Sequence, residues 1–101
     1  MTERVYFHRA WPPVDARPVG EGFVEARTTP VRSSHDERTA HWAAAQTELD
    51  ALSRSRIEQE LDRLGADFAH VFEEHVEDHV DPGADTFQLR GRYRFVTYRA
   101  T

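Results

Sequence analysis

The sequence predicts an α+β fold of two layers. An antiparallel sheet of about four strands carries two helices on one face, in the order ββααββ. Three observations predict it. Residues 35–64 place apolar side chains at three- and four-residue spacing and carry two helix-capping signals. Thr86 to Arg99 reads as a strand, with Phe87, Leu89, Tyr93 and Phe95 on one face and Gln88, Arg90, Arg92 and Arg94 on the other. The segment before it, Phe68 to Val80, folds back against it with apolar opposite apolar and acid opposite Arg.

The first strand is Arg4 to Arg9, a run rich in β-branched and aromatic residues. Trp11 to Gly22 then holds Pro12, Pro13, Pro18, Gly20 and Gly22, a density of φ-locked and permissive residues that predicts a loop. Gly22 to Val31 is the second strand, with Pro30 marking its end or an edge position. Ser34 and Glu37 form a capping box, and Ala40, Trp42 to Ala45, Leu49 and Leu52 supply the apolar stripe of a helix over 35–52. Ser53-Arg54-Ser55 reads as an interruption. A second capping box, Ser55 with Glu58, then opens a helix over 56–64, striped by Ile57, Leu61 and Leu64, with Gly65 as its C′ residue.

Phe68 to Val80 fits either period. As a helix it spaces Phe68, Val71, Phe72, Val76 and Val80 by threes and fours; as a strand it sets Glu73, His75, Glu77 and His79 on one face. Pairing favours the strand. With Pro82 to Asp85 as a four-residue loop, Val80 faces Phe87, Val76 faces Gly91 and Phe72 faces Phe95. On the other face His79 meets Gln88, Glu77 meets Arg90, His75 meets Arg92 and Glu73 meets Arg94. The expected core is Trp42, Leu49, Leu52, Ile57, Leu61, Leu64, Phe72, Phe87, Leu89, Tyr93 and Phe95.

At 101 residues and 11.7 kDa, the chain is expected to form a single domain over 1–101. With 39% hydrophobic and 31% charged residues it has the composition of a globular protein, not of a disordered one. No apolar run approaches the ~20 residues that span a bilayer, and Met1 to Arg4 lacks the apolar segment of a secretory signal. The expected location is therefore cytoplasmic, with no membrane association. The absence of cysteine excludes disulfides, thiolate metal sites and a cysteine nucleophile. Lys and Asn are absent and Ile occurs once, at Ile57, which points to a GC-rich bacterial gene. All 13 basic residues are Arg, so Arg at a site does not mean that Arg was chosen over Lys. The net charge of −5 argues against nucleic acid as a partner.

Four features are candidates for function. His75 and His79, among Glu73, Glu74, Glu77 and Asp78, are metal candidates only on a helix, where i,i+4 places them on one face. On a strand they sit roughly 13 Å apart, too far for one ion, so no metal is expected. Arg90, Arg92 and Arg94 project from one face of the last strand and could meet phosphates. The RNP1-like string Tyr93 to Tyr98 does not support this, because Arg94 fills its small position and Tyr93 and Phe95 fall on the other face. Trp11, before Pro12-Pro13, offers an aromatic anchor to a partner or a lid on the core. His8, Asp15 and His35 could line a pocket near the Trp11–Gly22 loop, but no P-loop, G-x-G-x-x-G or G-x-S-x-G motif accompanies them. The expected function is a non-catalytic interaction or assembly module with no cofactor, self-associating or bound to a protein partner. The alternatives are a small ligand-binding or enzymatic domain at that pocket, and weak nucleic-acid binding through the Arg face.

Overall fold

The computed structural model describes residues 3–8, 15–32 and 38–101. Its elements are β1 (Val5–Phe7), β2 (Ala16–Arg27), β3 (Val31–Arg32), α1 (Arg38–Leu64), β4 (Phe68–Asp81) and β5 (Thr86–Ala100). Among the described residues these make one five-stranded sheet and one helix. The strand order is β1-β4-β5-β2, and β3 continues the β2 row along the other end of β5.

β5 is the axis of the molecule. Phe87, Leu89, Tyr93 and Phe95 alternate onto one face and are fully buried. There they meet Leu49, Ile57 and Leu61 of α1, together with Val5 of β1, Val24 and Ala26 of β2, and Ala69 and Val71 of β4. The even-numbered residues of β5 lie on the opposite face, which α1 does not cover.

The β4–β5 hairpin forms in the expected register from Asp81↔Thr86 back to Glu73↔Arg94. Asp81 closes the loop: its Oδ1 accepts from the backbone N–H of Gly83 (3.0 Å) and of Ala84 (3.4 Å). The register then slips by one residue, so that Val71, not Phe72, faces Phe95. Phe72 is the extra residue of a β-bulge and is turned out of the core.

Three other expectations are corrected. The sheet is mixed, because β1 pairs with β4 in parallel. The loop over Trp11–Gly22 gives way to strand from Ala16 onward. Pro18 is tolerated there because β2 is an edge strand, and Gly22 because the Phe95 ring lies where its Cβ would be, 2.4 Å away. The two helices are one. Ala45, Leu49, Ser53, Ile57 and Leu61 form an unbroken row at four-residue spacing, and all are buried. Ser53 belongs to that row; its hydroxyl donates to the Asp50 carbonyl at 3.0 Å, so its polar group is satisfied inside the helix. Ser55 is an exposed mid-helix residue, not a cap. The Ser34–Glu37 capping box lies outside the described residues. Trp42, Leu64 and Phe72, expected in the core, are exposed, although Trp42 still stacks on Phe87 with ring centroids 5.8 Å apart.

Gly65 ends α1 as expected. At φ 67° it allows the Gly65 N–H to reach the Asp62 carbonyl and the Ala66 N–H to reach the Leu61 carbonyl, a Schellman cap. Two arginines tie the remote β1 to the helix. Arg4 bonds Asp62 (2.9 Å) and the carbonyls of Ala66 and Asp67; Arg54 bonds Glu3 (2.6 Å) and the Val5 carbonyl and lies over the Phe7 ring. No described helix is long and apolar enough to cross a membrane.

Candidate interaction surface

The uncovered sheet face gathers the charged residues of three strands. Arg90, Arg92 and Arg94 of β5 form its central row. On one side they face Glu77, His75 and Glu73 of β4; on the other they face Arg27, Glu25 and Phe23 of β2. Arg94 Nη1 is 3.2 Å from Glu73 Oε2, and its guanidinium lies 5.8 Å from the Phe72 ring centroid. Arg92 Nη2 approaches Glu77 Oε1 at 3.8 Å, a diagonal contact; Glu77 pairs with Arg92 although its register partner is Arg90. The Nε of Arg90 is buried without a hydrogen-bond partner, and its other cross-strand neighbour is the like-charged Arg27.

Four carboxylates (Glu21, Glu25, Glu73, Glu77) thus interleave with four guanidiniums (Arg27, Arg90, Arg92, Arg94). The Arg row is not a basic field but part of a neutral mosaic, which gives no net attraction for a phosphate backbone. Two exposed phenylalanines, Phe23 and Phe72, stand in it. Phe23 borders an open depression of about 400 Å³ lined also by Glu73, His75, Arg92 and Arg94. Past the strand edge, Phe23, Val24 and Glu25 line a groove of about 440 Å³ against Arg56, Gln59, Glu60 and Arg63 of α1.

The other candidate residues are not brought together. His75 and His79 stand on a strand, which sets them apart as described above, and no group of three His, Cys, Asp or Glu suited to a metal occurs among the described residues. His8 ends β1 at φ 51°, hydrogen-bonded to Val71, with its Nε2 3.0 Å from Glu74 Oε2. Asp15 lies at the opposite edge of the sheet, where its carbonyl accepts from the Thr101 N–H. Trp11 and His35 lie outside the described residues.

Across the strands from Glu74, the Tyr93 hydroxyl is buried without a well-aligned partner. Burial pushes its pKa up to about 12; the nearby Ser53 hydroxyl opposes this, while the negative charges of Glu74 and Asp50 add to it. At neutral pH the phenol is therefore un-ionised and does not serve as a base.

Sequence reasoning placed Phe72 in the core, took Glu21 and Glu25 only as acids near the Pro/Gly loop, and did not single out Phe23. Glu21, Phe23, Glu25 and Arg27 do alternate with Gly22, Val24 and Ala26, but with small residues on the inner face the period is faint. Fold and surface together define a two-layer α+β arrangement whose sheet, among the described residues, is covered on one side only. Compared with known proteins, the chain matches no family model, no curated protein and no solved structure.

Proposed function

We propose that this chain is a non-catalytic interaction module that acts by assembling with another polypeptide. The observation that carries the reading is the one-sided sheet: one face packs on α1, while the other presents Phe23 and Phe72 in a neutral charge mosaic. Such a surface suits a protein partner, whose own charges can interleave with it, better than a polyanion. Shape supports the same reading. The chain exposes 6598 Å², against about 5,900 Å² for a compact monomer of this mass. The excess is close to the roughly 800 Å² that each partner contributes to a standard protein interface. Cytoplasmic assembly of identical copies is the simplest form of such a module. Native mass spectrometry of the purified chain tests it: a complex at a whole multiple of 11.7 kDa is expected. A strictly monomeric chain that also retains no partner through gentle purification would remove the reading.

A further inference from the structure

Glu21, Glu25 and Arg27 of β2 are all exposed, and none has an ion-pair partner among the described residues. Within the sheet, Glu21 stands opposite the apolar Val96 and Arg27 opposite Arg90. Each would be better placed beside the other. Their strand lies at the sheet edge, hydrogen-bonded to β5 on one side only. Pro18 and the irregularity between Pro18 and Gly20 blunt one end of that edge, as edge strands commonly do. From Glu21 to Arg27 neither proline nor bulge interrupts the edge, and the groove against α1 leaves room alongside.

We propose that β2 pairs antiparallel with β2 of a second copy, with Val24 on the two-fold axis, so that two sheets become one continuous sheet. The proposal rests on the interaction-module reading and names its partner. A two-fold axis normal to the sheet keeps both helices on one side, so open-face residues meet open-face residues. With Val24 opposite Val24, Glu21 lies opposite the partner copy's arginine at position 27, and this happens twice. Phe23 lies opposite the glutamate at position 25, and Gly22 opposite the alanine at position 26. Sliding the pairing by two residues one way sets Glu21 against the glutamate at 25. Sliding it the other way sets Glu25 against its own copy. Like charges directly opposed destabilise a strand pair, so charge selects the Val24 register over both neighbours.

The test uses the full chain with Glu21→Arg, Arg27→Glu and, on the open face away from this edge, Phe72→Glu. The two charge-reversed positions are exposed and unpaired, and circular dichroism checks that each variant folds. Wild type is expected to be dimeric by native mass spectrometry. Each charge reversal alone sets like charges against each other twice and should weaken the dimer by at least about tenfold. Mixing the two reversed chains should give a heterodimer, because both facing pairs of charge are then complementary. Phe72→Glu should leave the dimer intact. A dimer indifferent to both reversals, or reversed chains that do not combine, overturns the β2 pairing. If Phe72→Glu alone dissociates the dimer, the partner sits on the open face; the edge proposal then falls while the module reading stands. A monomeric wild type with no partner removes both.

Discussion

Tyr93 is the largest fully buried side chain among the described residues. Its ring lies across Gly91, and a Cβ at that position would sit 2.4 Å from the Tyr93 Oη and 2.7 Å from the ring. Neither a buried ring nor a central strand yields easily, so Gly91→Ala should destabilise the fold by about 1–3 kcal/mol in urea denaturation. The hydroxyl is a different matter. It has no well-aligned partner, and the Ser53 hydroxyl beside it is already committed to Asp50. Tyr93→Phe should therefore change stability at neutral pH by less than about 1 kcal/mol. At high pH the two proteins should diverge. The folded state holds the phenol un-ionised up to about 12, above its ordinary value of 10.0. The resulting stability is fully present below pH 10 and is lost as pH rises toward 12, by about 2–3 kcal/mol at most. Denaturation midpoints measured across this range should fall more steeply for wild type than for Tyr93→Phe. Parallel curves would show that the phenol is not held in this way.

At the scale of elements, the long helix makes the sharpest prediction. If α1 broke at Ser53-Arg54-Ser55, residue 56 would be the first residue of a new helix, where proline is favoured. In a continuous helix the same proline removes a backbone hydrogen bond and clashes with the preceding turn. Arg56 is exposed, so its side chain confounds little; Arg56→Pro should cost about 3 kcal/mol or more in thermal or urea melts. A near-neutral result would restore the two-helix reading. The same elements show what the sequence made legible. The β4–β5 hairpin could be read because its register is written twice, once in Val76, Val80 and Phe87 and again in Glu73, Arg94 and their neighbours. The helix end could be read from Gly65 alone, since few other residues accept φ 67°. Ser53 misled because a hydroxyl in a helix usually signals a cap or a break, and only tertiary packing reveals that it belongs to the buried row. The start of β2 was hidden for a similar reason. Pro18, Gly20 and Gly22 read as loop residues, yet an edge position and the overlying Phe95 ring make them tolerable in a strand. The open face was half legible: its Arg row followed from alternation in β5, but Phe72 reached it only through a bulge that no pattern announced.

The whole molecule is long for its size. It measures 51 × 22 × 20 Å, with a Cα radius of gyration of 15.8 Å, where a compact chain of this length would have about 13 Å. The cause is visible in the elements: a 27-residue helix lies along 14- and 15-residue strands, with only one layer on each side of the core. A core this thin leaves much apolar surface wet, and the net stability of a small domain is a narrow margin between large terms. A second copy that binds only the folded chain adds to that margin by mass action. The melting temperature of the wild-type protein should therefore rise with protein concentration, by about 4 °C for each tenfold increase, given the unfolding enthalpy expected for two chains of this length. Arg27→Glu should melt lower than wild type at each concentration, by at least about 4 °C for a dimer at least tenfold weaker, because its like-charged edges pair less well. It should do so without any intrinsic loss of fold, since a glutamate there faces Arg90 across the strands and relieves a repulsion within the chain. A flat wild-type profile would mean that the elongated chain is stable alone and that β2 does not pair with a second copy.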